Sequence, residues 1–134
     1  MAEAEGLKIA FQAPDKITPE VLEIFPYTLS ELKIKTIPDQ LITYMTKEFS
    51  AVCPFSGLPD IATVTIEYIP DQKVLELKSL KYYFLSYRNV GIYQEHATQK
   101  IFADIQKVLQ PKKLKVTTLY NTRGGIDTVC TIEK

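Results

Sequence analysis

The chain has 134 residues, enough for one hydrophobic core but not two. Its apolar content is 46% and its charged content 24%, ordinary for a globular domain. The 16 basic and 16 acidic residues cancel, so no net field recruits nucleic acid or an anionic membrane.

Residues 1–19 hold Pro14 and Pro19 and no sustained period, and read as a variable arm ahead of a single domain over 20–134. The acidic start, Met1-Ala2-Glu3-Ala4-Glu5-Gly6, lacks the basic and apolar regions of a signal peptide. No run approaches the roughly 20 apolar residues of a membrane span. Cys53 and Cys130 show no disulfide framework, and with one histidine they make a poor zinc set, so no metal is expected. A reducing cytoplasm is the simplest home.

Val21–Phe25 suggests one helical turn before Pro26. From Leu29 to Met45 apolar and polar residues mostly alternate, in two runs broken by Ile37-Pro38-Asp39, which predicts half-buried strands. Residues 50–60 form a loop punctuated by Pro54, Gly57 and Pro59. Ala62, Val64, Ile66 and Tyr68 alternate with Thr63, Thr65 and Glu67, a clear strand. Pro70-Asp71 turns the chain, and extended structure resumes at Val74-Leu75 as far as Glu76.

Helical period follows over Lys78–Arg88, with Leu80, Phe84 and Tyr87 on one face. A second helix is predicted from about Gln94 to Leu109, where Ala97, Ile101, Ile105 and Leu109 recur every four residues and Pro111 enforces the end. The last segment is a hairpin turning at Arg123-Gly124-Gly125. Strands, two helices, then strands predict an α+β domain with helices on one face of an antiparallel sheet.

Several residues could carry chemistry. An isolated cysteine is most often a small buried hydrophobe, but Cys53 sits in an irregular loop with an acid, Asp60, seven positions on. To act as a nucleophile its thiol needs help from a helix end or a cation. Asp60 after Pro59 is ordinarily a turn residue; as a proton donor it needs burial beside the ligand. Lys78, Ser79 and Lys81 open a helix, whose unpaired N–H groups attract anions, although solvated lysines are the commoner finding there. Glu95 suits its own helix start electrostatically. It could also accept the adjacent N–H donors of a guanine-like ring in bidentate fashion, as could Glu76. His96, one step past Glu95, points off that residue's face and reads as a surface residue.

The ordered set Cys53-Pro54, Pro59-Asp60, Glu76-Leu77-Lys78-Ser79-Leu80-Lys81-Tyr82-Tyr83, Ser86-Tyr87-Arg88-Asn89 and Arg123-Gly124-Gly125 resembles the NADPH-dependent 7-cyano-7-deazaguanine reductases of queuosine biosynthesis, in their single-module form. The resemblance runs from about Leu41 to Cys130. It implies the tunnelling fold (T-fold), in which antiparallel sheets of several subunits join into a barrel with helices outside. It also implies a homo-oligomer, two stacked rings of five, with active sites at subunit boundaries.

By that family's pattern Cys53 adds to the nitrile to give a covalent thioimide, and Asp60 supplies the proton. Lys78, Ser79 and Lys81 engage NADPH, while Leu75, Glu76, Leu77, Gln94 and Glu95 line the pocket for the free base 7-cyano-7-deazaguanine. The product, 7-aminomethyl-7-deazaguanine, serves queuosine in tRNA, with no direct nucleic-acid or membrane partner. Gln94 departs from the pattern, since the family often has a histidine there, which bears on the proton pathway. The alternatives are an amidinotransferase-like enzyme using the same cysteine without NADPH, and a non-catalytic purine- or pterin-binding module on the same fold.

Overall fold

The computed structural model describes residues 9–134. The expected arm over 1–19 therefore lies partly outside the described residues. Its remainder rests on the domain: Gln12 bridges Val90, Pro14–Lys16 makes one 3₁₀ turn, and Ile17 is buried.

Four strands form the main antiparallel sheet: β2 (Ile42–Val52), β3 (Pro59–Ile69), β5 (Lys113–Arg123) and β6 (Ile126–Glu133), in the order β2-β3-β5-β6. A small two-stranded sheet pairs β1 (Ile24–Pro26) with β4 (Lys73–Leu75). Helices α1 (Leu77–Leu85) and α2 (Gln94–Leu109) complete the fold. Residues expected as a helical turn over Val21–Phe25 divide instead between a 3₁₀ turn, Pro19–Val21, and β1.

Ala62, Val64, Ile66 and Tyr68 of β3 are buried, and so are Leu114, Val116 and Tyr120 of β5. The α2 face made by Ala97, Ile101, Ile105 and Leu109 joins them in one core, as its four-residue spacing predicts. A buried hydroxyl pair, Thr98 Oγ1 to Thr118 Oγ1 at 2.6 Å, fixes α2 against β5. Helix α1 is held to α2 by Tyr83, whose hydroxyl donates to Asp104 Oδ2 at 2.6 Å and bonds Tyr87 Oη at 2.8 Å. The other sheet face carries Met45, Thr65, Thr117 and Thr131 in one register row, with exposed Leu119 beside Val129.

Two expectations change. Residues 29–41 form no strand; they hold one 3₁₀ turn, Ser30–Leu32, ended by Lys33 in the left-handed region at φ 55°. Alternation alone does not make a strand where no neighbour pairs with it, and no strand among the described residues pairs with 29–41. The reactive loop is also shorter than 50–60, because β2 continues to Val52 and β3 begins at Pro59.

The register between β2 and β3 shifts between Thr46 and Phe49. One extra residue there reverses the side-chain phase, so Phe49 and Ala51 face the core behind the bulge. Helix α1 starts with its own cap: Glu76 accepts from Lys78 N at 2.8 Å and Ser79 N at 2.7 Å. Those N–H groups, Lys78's first, hold the carboxyl below its ordinary 4.5. A depressed folded value contributes stability above the unfolded pKa and loses it as pH falls through the folded one. Glu76→Ala is therefore expected to lower Tm by a few degrees at pH 7, the deficit vanishing in acid. Thermal melts of both proteins across pH check this.

Candidate active site

The hairpin of β2 and β3 delivers Cys53 and Asp60 together. Ala51 pairs with Asp60 and Val52 with Pro59, so the thiol stands one residue beyond the last strand pair. The connecting loop closes on itself through Gly57 N to Cys53 O at 2.8 Å and Cys53 N to Leu58 O at 2.9 Å. Gly57 adopts φ +72°, and a Cβ there would sit 2.6 Å from the Ile9 carbonyl oxygen, so glycine is required twice over.

This turn aims donors at the sulfur. The Ser56 backbone N–H chiefly holds the Cys53 thiol below its ordinary value, against partial burial. The Phe55 N–H and the Ser56 hydroxyl add to the effect, and the Asp60 charge opposes it. The help a thiolate needs comes from loop amides, and not from a helix end or a lysine. No sequence signal marks such a nest, because it depends on backbone torsions.

Asp60 is 4% exposed on the core face of β3. Its Oδ1 is paired with Arg123 Nη1, from the last residue of β5. The sequence marks Arg123 only as a turn residue beside Gly124 and Gly125, which turn the chain at φ +60° and +77°. The β3–β5 pairing carries the guanidinium back to Asp60, a long-range contact with no local signature. Gly91 is bonded on both sides, its N–H to Gln12 O at 2.8 Å and its neighbour Ile92 N to Val52 O at 3.1 Å. That bridge brings the chain into α2 beside the Cys53 loop. Gln94 is half-buried and Glu95 exposed in the first turn of α2. His96 is exposed and stacks edge-on against Tyr93 at 5.9 Å between ring centroids.

The remaining predicted residues stand elsewhere. Leu75 is buried in the core, with its N–H donating to Tyr68 Oη at 3.1 Å. Asp60 and Tyr68 lie at opposite ends of β3, about 26 Å apart at a rise of about 3.3 Å per residue. Glu76, exposed Leu77 and exposed Lys78 thus belong to the far end from Cys53. Ser79 is buried, its Oγ accepting from Glu23 N at 2.9 Å and donating to Glu76 O at 2.7 Å. Lys81 is exposed at the wall of a 300 Å³ groove shared with Tyr44, Ser50, Phe84 and Arg88. Within one chain the set divides into a Cys53–Asp60–Glu95 half and a Glu76–Lys78–Lys81 half.

The family model described as QueF-like protein matches residues 59–134. An NADPH-dependent 7-cyano-7-deazaguanine reductase of Thermotoga petrophila is 50% identical over 129 residues, covering 96% of this chain and 88% of the relative. Its counterpart in Caldicellulosiruptor bescii is 53% identical over 114 residues, covering 85% and 82%. A crystal structure of the archaeosine synthase QueF-Like in the apo form superposes with a TM-score of 0.67 at 28% identity, over 73% of this chain and 95% of that one. The α+β architecture is that of the tunnelling fold, and the chain belongs to the family of NADPH-dependent 7-cyano-7-deazaguanine reductases.

Proposed function

We propose that the protein reduces the nitrile of 7-cyano-7-deazaguanine to the aminomethyl group, using NADPH, as a cytoplasmic enzyme of queuosine biosynthesis. The observation that carries this reading is a thiol whose pKa is lowered by loop amides, two residues past the strand partner of a buried carboxyl, in a chain 50% identical to reductases of that name. Asp60, ion-paired with Arg123, takes the proton of the Cys53 thiol; the thiolate adds to the electrophilic nitrile carbon, a C–S bond forms as one C–N π bond breaks, and the nitrogen takes that proton from Asp60 to give a thioimide. NADPH supplies two hydrides in turn. After the first the C–S bond breaks, returning the thiolate and leaving an imine; the second, with a further proton, gives the amine.

Glu95 at the start of α2 accepts the adjacent ring N–H donors. With glutamine at position 94, proton delivery falls to Asp60 and solvent, since an amide does not titrate. The exposed ammonium groups of Lys78 and Lys81 suit the cofactor's phosphates as point charges. The N–H groups of Lys78 and Ser79 are already bound to Glu76, so anion binding there rests on side chains.

Because Leu75, Glu76, Leu77 and Lys78 stand at the end of β3 far from Cys53, a second copy must bring them to the thiol. Exposed Leu29, Leu32, Ile34, Ile37 and Leu41, and the outer edges of β2 and β6, on which no strand of the described residues lies, favour a homo-oligomer, built as two stacked rings of five. No direct contact with nucleic acid and no membrane attachment is proposed. None of the described helices is long and apolar enough to cross a membrane.

The test is NADPH absorbance with 7-cyano-7-deazaguanine. Loss of two NADPH per nitrile is expected. An adduct on Cys53 without NADPH loss would point to an amidinotransferase-like enzyme, and neither event to a binding module.

A further inference from the structure

Gly91 is buried, and its φ lies outside the left-handed region, so its backbone does not call for glycine. What calls for it is the ring of Phe11: a Cβ on Gly91 would overlap Cδ2 and Cε2 of that ring. The same ring reaches Gly57 in the Cys53 loop, where a Cβ would stand 3.3 Å from Phe11 Cδ1 and 3.1 Å from Ile9 Cβ. One aromatic side chain therefore lies against both the loop that carries the thiol and the link that leads into α2. Backbone bonds lock it there. Gln12 donates to Asn89 O at 2.7 Å and accepts from Gly91 N at 2.8 Å, and Val52 donates to Val90 O at 3.0 Å. The link over 89–92 thus bridges Gln12 and Val52, the residue before Cys53.

The loop's own large side chains stay outside the core: Phe55 is 91% exposed and Leu58 47%. Gly57 is its one buried residue over 53–58, and what lies against Gly57 is Phe11 with Ile9. We propose that Phe11 is a positioning residue for Cys53: its ring, wedged between Gly57 and Gly91, holds the 53–58 turn in the shape that aims the Phe55 and Ser56 N–H groups at the sulfur. The inference rests on Cys53 being the nucleophile of the proposed reduction. Those N–H groups favour the thiolate. A hydrogen bond weakens steeply as its angle opens, so a turn released from the ring loses part of that help.

The test is Phe11→Ala in the full chain. Alkylation of Cys53 by iodoacetamide should begin at higher pH than in wild type, by about 0.5 to 1 unit, because the thiolate loses aligned donors. Cys130 is half-buried too, so peptide mass spectrometry must read Cys53 by itself. For the nitrile, kcat/KM should fall about threefold to tenfold at pH 7 and recover as pH rises past the thiol pKa. A merely structural defect would show no such recovery. The Tm should fall by no more than about 3 °C, since the ring is 38% exposed. Gly91→Ala puts a methyl where the ring sits and should give the same shift, and the double variant no more than either alone. An unmoved alkylation profile in Phe11→Ala overturns the role, whatever the Tm does, and shifts that add in the double variant overturn the wedge. A wild type that oxidises no NADPH with the nitrile overturns the reductase reading, while the alkylation profiles still decide the wedge.

Discussion

Cys53→Ala is expected to abolish nitrile-dependent NADPH oxidation, by at least about 10⁴-fold as for loss of other enzymatic nucleophiles, while the fold persists. The thiol is half-buried at a loop, and the loop's closing bonds run through the backbone of residues 53, 57 and 58. A side-chain change there should alter stability by no more than about 0.5 kcal/mol. Melting curves and absorbance assays on the two proteins separate the effects. Intact mass spectrometry with the nitrile alone adds the chemistry: a covalent adduct in wild type, none in the variant. Residual turnover in Cys53→Ala near the wild-type rate would exclude the thioimide route.

Asp60→Asn should move two observables in opposite directions. Turnover should fall about 10²- to 10⁴-fold, the usual worth of a positioned proton donor. The thiol should become more acidic, because the Asp60 charge opposes thiolate formation at Cys53. Alkylation of Cys53 by iodoacetamide should then begin at lower pH in the variant than in wild type. The sign follows from removing a negative charge beside a group that becomes negative. Asparagine still offers an oxygen to Arg123, which is itself partly exposed, so the melting temperature should change little. Slower turnover with an unmoved alkylation profile would place Asp60 too far from Cys53 to act on the same bond. A faster thiol with full turnover would assign the proton to another donor.

What was readable along the chain was whatever repeats locally. Helix α2 announces itself through Ala97, Ile101, Ile105 and Leu109 and through Pro111, because a helix must bury one stripe and proline ends it. β3 and the β5–β6 hairpin are equally legible, since period-two burial and a Gly124-Gly125 turn are local requirements. The residue types of the proposed site also stand in the sequence as an ordered set of motifs: Cys53, Asp60, the lysines of α1 and Glu95.

Tertiary structure alone decided the rest. Residues 29–41 have the alternation of a strand and none of its pairing, and pairing is settled by which segments meet in three dimensions. The bulge after Thr46 sets the phase in which β2 reaches Cys53, and one extra residue leaves no mark in composition. The amides that acidify Cys53 and the Arg123 partner of Asp60 arise from torsions or strand register. The length of β3 sets the Glu76 and Lys78 half apart from the cysteine. Residue identity and local period determined which groups the protein has for its chemistry; distance, a non-local quantity, decided which of them meet within one chain.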